Sequence, residues 1–159
     1  MKKIFLFFLL MFTLTLTAQT ITNPDTAYWY TDYSEATKVA VAENKPMLIL
    51  FTGSDWCSWC IRLQREVFSR DTFVNWSKEE VILVEIDFPR YKQQPDSVIQ
   101  QNQLLQQQFN IQGYPTVWFV STTLIDDVTI IEPIGQSGYI PGGPQSWIDN
   151  ANSILNGNK

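Results

Sequence analysis

The chain contains no histidine and only two cysteines in 159 residues. Without imidazole it lacks the commonest general base near neutral pH and the commonest zinc ligand, so its chemistry falls to thiols, carboxylates, lysines and tyrosines. Two cysteines alone also fall short of the about four ligands that a zinc site needs. Basic residues are scarce too: eleven Lys and Arg face sixteen Asp and Glu, a formal charge of −5. That sign disfavours a nucleic-acid or anionic-membrane role. No metal and no cofactor are expected.

There is one long apolar run, Ile4 to about Leu16, preceded by Lys2 and Lys3 and interrupted by Thr13 and Thr15. It is too short to span a bilayer comfortably, and the small residue Ala18 follows, so residues 1–18 read as a cleaved export signal rather than an anchor. No cysteine follows it to carry a lipid, and no stable membrane anchor is expected after cleavage. Removing 18 residues from 159 leaves 141, enough for one domain with a real core. Lys2 and Lys3 leave with the signal, so nine bases then face sixteen acids, a charge of −7. Residues 19–27 read as a polar lead and 28–159 as the domain.

What the chain does have is Phe51-Thr52-Gly53-Ser54-Asp55-Trp56-Cys57-Ser58-Trp59-Cys60-Ile61, which holds both cysteines in a C-x-x-C spacing. The run Met47 to Phe51 reads as a buried strand, and Cys60, Leu63 and Val67 repeat with a helical period, so the pair sits at a helix start. Residues three apart on a helix lie on one face, close enough for a disulfide to open and close. Free N–H groups at the helix start stabilise a thiolate, most of all at Cys57. Cys57 is therefore the expected nucleophile and Cys60, one turn further in, the resolving thiol. Export normally invites structural disulfides, yet no other cysteine is present. An inert bridge remains the alternative, although one closed across two residues constrains little of the unfolded chain.

Along the chain, Tyr28-Trp29-Tyr30 reads as a first strand or extended arm. Asp32-Tyr33-Ser34-Glu35 has the spacing of a capping box and opens a helix running to about Asn44. The helix from Cys57 is expected to reach about Phe68, with a shorter helix or turn through Trp76. Val81 to Asp87 reads as a central strand, Pro95 to Phe109 as a glutamine-rich helix, Val117 to Val120 and Val128 to Ile131 as paired strands, and Gly142-Gly143-Pro144 as the start of a last helix. The order is β-α-β-α-β-α-β-β-α, an α/β fold with a mixed sheet and helices on both faces.

With Asp55-Trp56-Cys57-Ser58-Trp59-Cys60 after one strand, Glu85-Ile86-Asp87 closing the next, Gly113-Tyr114-Pro115-Thr116 about 55 residues beyond the cysteines and Gly135 after the fourth strand, the chain resembles the thioredoxin superfamily, in particular exported members with a W-C-x-W-C site. The likeness covers roughly Tyr28 to Leu155. It implies a thioredoxin-like fold, a cis proline at Pro115 facing the cysteines, and a substrate groove lined by Trp56, Tyr114 and Thr116. Two positions depart from the family. Counting back six residues from Cys57 puts its buried aspartate at Phe51, and the lysine that partners it falls at Leu83. Glu85, on the same strand face as Leu83, is the nearby carboxylate that could replace this proton relay, and Asp87 reads as a cap or turn residue.

The implied function is thiol–disulfide exchange on exported, disulfide-containing client proteins, served by a separate redox partner, in the periplasm if the source is a Gram-negative bacterium. Ser58-Trp59 adds no charge that would favour the Cys57 thiolate further, so reductase or isomerase is expected ahead of oxidase. Two rivals are a redox-inert binding or chaperone module and a peroxide-reducing enzyme. The latter would need a threonine and an arginine around its cysteine, which Thr52 and Arg62 do not persuasively supply.

Overall fold

The computed structural model describes residues 26–125 and 128–157. The expected signal segment and nearly all of the polar lead lie outside them. Five strands form one sheet in the order β1-β3-β2-β4-β5: β1 Trp29–Tyr30, β2 Met47–Thr52, β3 Ile82–Asp87, β4 Thr116–Ile125 and β5 Val128–Ser137. β3 runs parallel to β1 and β2, whereas β4 is antiparallel to both β2 and β5. All six residues of β2 are buried, as a central strand covered on both faces requires.

Alternation along the strands divides the core in two. Leu48, Leu50, Leu83, Val117 and Phe119 point to one face, where they meet Leu63, Val67, Phe68, Phe73 and Trp147. Met47, Ile49, Phe51, Val84, Ile86 and Val120 point to the other, against Ala36, Ala40 and Leu105. The first face is covered by α2 Ser58–Leu63, α3 Asp71–Glu80 and α5 Gly143–Asn156, the second by α1 Tyr33–Glu43 and α4 Asp96–Gln108.

Local signals produced local structure. Asp32 caps α1 by accepting the Glu35 N–H at 2.9 Å, and Asn44 ends it in the left-handed conformation at φ 51°. At the other end of the chain Gly142 takes φ 109°, and a Cβ there would lie 2.5 Å from Ser146 Oγ, so the turn into α5 needs glycine.

Three expectations change. The segment after Ser69 is a full helix to Glu80, because Phe73, Val74 and Ser77 bury one side of it; the element order gains a helix. The helix after the cysteines also changes pitch, passing at Gln64–Phe68 into a π-helical turn that buries both Val67 and Phe68. β5 runs six residues past Ile131, through Pro133 and Gly135. An edge strand tolerates proline, and Pro133 pairs with Val120 beside an irregularity in the ladder. Gly135 thus lies within the strand rather than after it, where a Cβ would come 2.7 Å from Ile154 of α5.

Candidate active site

The cysteines sit where β2 delivers the chain to α2. Cys57 is the N-cap residue, with extended backbone, and its sulfur accepts the Cys60 N–H at 3.2 Å. This is the helix-start environment that favours a thiolate. The two are joined as a disulfide with their Cα atoms 5.2 Å apart. Burial barely separates them, at 7% and 4% exposed; position does. The Cys57 sulfur lies 3.6 Å from the Tyr114 carbonyl oxygen, and the Tyr114–Pro115 bond is cis.

Aromatic rings frame this contact. Trp56 meets Tyr114 edge-on, with centroids 5.9 Å apart, and its indole N–H donates to the Phe88 carbonyl at 2.7 Å. Gly53 allows that placement, since any Cβ there would lie 2.5 Å from the Trp56 ring. Tyr114 is anchored through its hydroxyl, which accepts from Gln106 Nε2 at 2.6 Å. Burial pushes the Tyr114 phenol above its ordinary range, partly offset by that hydrogen bond. Thr116 turns its hydroxyl back to the Gly113 carbonyl at 2.8 Å. On the opposite side Trp59, about half exposed, packs on Tyr139 at 5.2 Å. Arg62 lies over both rings and pairs with Glu66. The Tyr139 hydroxyl and then Arg62 hold the Glu66 carboxyl below the usual range. Arg62 is thereby committed to this surface cluster.

Beneath the site, a latch joins the loops that follow β2 and β3. Asp87 accepts from Ser54 N at 2.8 Å and from Ser54 Oγ at 2.6 Å. Asp55 accepts the N–H groups of Arg90, Tyr91 and Lys92 at 2.9, 2.8 and 3.1 Å. Desolvation works upward on Asp55, but these three bonds together with the Lys92 charge bring its carboxyl below the ordinary value. Asn102, a polar residue in the apolar stripe of α4, donates to the Asp87 carbonyl at 2.9 Å. Asp87 is therefore not a simple turn residue but a nearly buried brace for the cysteine loop. Sequence reasoning missed this role of Ser54, Asp55 and Arg90, which act across more than thirty residues; Asn102 stands out as a polar residue in the apolar stripe of α4, with its role beyond satisfying a buried backbone group left open.

Behind the disulfide lies a cavity of about 420 Å3 lined by Cys60, Leu50, Thr52, Arg70 and Glu85, among others. Phe51 faces away, its ring 5.6 Å from Phe109 in the other core. The strand position that looks toward Cys60 is Leu50, paired in register with Glu85. Counting back six residues thus landed one position out, and on a strand one position reverses the face. Glu85 is the one residue of β3 that is only half-buried. Burial, and then the nearby Asp87 charge, raise its carboxyl above the ordinary value, with Lys92 acting the other way.

The comparisons agree with this geometry. The chain is 31% identical over 123 residues, 77% of its length and 70% of the relative's, to the disulfide bond reductase DsbH of Chlamydia pneumoniae. A solved structure of a DsbH oxidoreductase superposes with a TM-score of 0.73 at 28% identity, covering 90% of this chain and 94% of the other. A Thermus thermophilus thioredoxin shares the fold at a TM-score of 0.59 and 16% identity, over 82% of this chain and 88% of its own. The thioredoxin-like domain family matches residues 33–123, more than half of the sequence, and the chain belongs to that family.

Proposed function

We propose that the chain works as a reductase of disulfides in exported client proteins, recharged by a separate redox partner. The reaction class is thiol–disulfide exchange, and the chain is a thiol–disulfide oxidoreductase acting through the Cys57–Cys60 pair. The Cys57 thiolate attacks a client disulfide, one client sulfur leaves as a thiolate, and a mixed disulfide forms. Cys60 then displaces the second client sulfur, leaving Cys57–Cys60 oxidised and the client reduced by two electrons. The groove of Trp56, Tyr114, Pro115 and Thr116 is where an extended client segment would pair with the backbone, like an added strand.

The observation that carries the direction is how few groups beyond the helix start face the Cys57 sulfur. Among the described residues its hydrogen-bond donor is one amide, from Cys60, and no histidine exists to add charge. A weakly favoured thiolate goes with a reducing pair. Similarity to a bacterial disulfide bond reductase supports the same direction. It also supports export, as does the Lys2-Lys3 apolar segment; the periplasm would be the compartment in a Gram-negative source. The test is the equilibrium potential of the pair in defined glutathione buffers. A value near about −270 mV supports a reductase, whereas one between about −180 and −120 mV would replace it with an isomerase or oxidant.

Glu85 is the proposed proton acceptor for Cys60, on the strength of their shared cavity. Glu85→Gln is expected to slow release of the mixed disulfide and to remove a rising limb of that step's pH profile above the ordinary carboxylate range. Resolution as fast as in the parent would eliminate the role. Stability gives a second reading. A carboxyl with a raised folded pKa binds its proton more tightly when folded, so its ionisation disfavours the fold as pH rises through the unfolded value. The variant should therefore gain stability over the parent at neutral pH and lose that gain in acid, as melting curves at several pH values would show.

A further inference from the structure

Arg90 lies on the loop after β3, and nothing in the exchange steps requires it. Its guanidinium carbon is 3.9 Å from the centroid of the Trp56 ring, the residue immediately before Cys57. The loop beneath is fixed by Asp55, which binds the backbone N–H groups of Arg90, Tyr91 and Lys92. No carboxylate pairs with Arg90 or Lys92 among the described residues. On the Trp59 side, by contrast, Glu66 matches Arg62 at 2.9 Å and approaches Arg65 at 3.5 Å. Lys92 donates to Ser54 Oγ at 3.2 Å and its charge acts on Asp55 and Glu85, so the charge left without a carboxylate in ion-pair contact on the Trp56 side is the Arg90 guanidinium, in a chain whose net charge is −5.

A guanidinium lying over an indole retains N–H groups at its edge, and these form the fork that fits a carboxylate. Because Trp56 also meets Tyr114, Arg90 stands over the rim of the groove in which the Tyr114–Pro115 loop faces Cys57. We propose that Arg90 is a specificity-determining residue that receives a client carboxylate, selecting disulfides flanked by acidic side chains in an extended segment. This rests on the exchange reading above. The occupant is a protein segment because the exchange reading brings a disulfide-bonded client to this groove, and charge complementarity fixes its sign.

The test uses three fluorogenic peptides of one sequence, each with a single disulfide flanked by Asp, Asn or Lys, reduced by the parent, Arg90→Gln and Arg90→Glu, with dithiothreitol supplying the two electrons of each turnover and its uncatalysed rate subtracted. The latch uses only the backbone N–H of Arg90, so both variants keep it. The parent should favour the Asp peptide over the Asn peptide about fivefold in kcat/KM at low salt, and the ratio should fall toward one as salt screens the pair. Arg90→Gln should erase that preference, and Arg90→Glu should shift it to the Lys peptide. A parent ratio near one overturns the proposal, as does an Arg90→Gln variant that slows all three peptides equally. If the parent turns over none of them, the exchange reading falls and takes the inference with it.

Discussion

A Cys60→Ser protein mixed with a disulfide-bonded client is expected to stop at a covalent adduct through Cys57, with multiple-turnover exchange down by about 10^3-fold or more. The geometry assigns the order of events. Cys57 stands at the cap of α2, takes the Cys60 N–H on its sulfur and faces the Tyr114 carbonyl at the groove, whereas Cys60 lines the cavity behind. A client sulfur approaching along the Pro115 loop therefore meets Cys57. Serine at 60 has no thiolate with which to displace the client, so the adduct persists. It should appear as a mass shift on a non-reducing gel and vanish with added thiol. Cys57→Ser should form no adduct; one forming through Cys60 instead would reverse the assignment of nucleophile and resolving thiol.

The largest loss of stability is expected at Trp147, in the core beneath α5. Its side chain is wholly buried, with Phe68, Phe73, Trp76 and Phe119 at centroid distances of 5.1, 5.6, 6.1 and 6.2 Å. Its indole N–H donates to the Gly138 carbonyl at 2.9 Å. Trp147→Ala removes those contacts, leaves a hole between α5 and the sheet and strands the carbonyl. Losses of about 3–5 kcal/mol are usual for such a truncation, against a typical total of about 5–15 kcal/mol. The melting temperature should fall by roughly 10–20 °C. Trp147→Phe, which keeps most of the ring packing, should lose well under half as much. Equal melting of Trp147→Ala and parent would refute the central place given to this residue.

How much of this was legible beforehand depends on the range of each interaction. The Asp32 cap, the burial of β2 and the Cys57–Cys60 placement are local, so residue spacing alone reveals them. The latch is not local: Ser54 and Asp87 are 33 residues apart, and Asp55 and Lys92 are 37 apart. Nothing near Asp55 distinguishes it from any other acid in a loop. The fourth long strand reads short in the opposite way, ending at Ile131 with Gly135 placed after it, whereas the strand runs on to Ser137 because an edge position accommodates Pro133 and a close helix suits Gly135. Phe51 shows a third limit, because the length of the loop between β2 and Cys57 decides which strand face a counted position occupies. Glu85 was named for the right strand face, and the cavity it shares with Cys60 became visible only once α2 was laid over the sheet.

The latch also bears on when the protein becomes competent as it folds. With two cysteines three residues apart, the chain has a single internal disulfide to make, and it can do so as soon as that short stretch enters an oxidising space. Ser54 and Asp55, however, find their partners only after the α2 and α3 crossover has closed and β3 has paired with β2. Such distant contacts form late relative to local ones. The bond of the redox centre can thus precede its active site, and a half-made chain would carry a closed disulfide in a loop not yet shaped to exchange it.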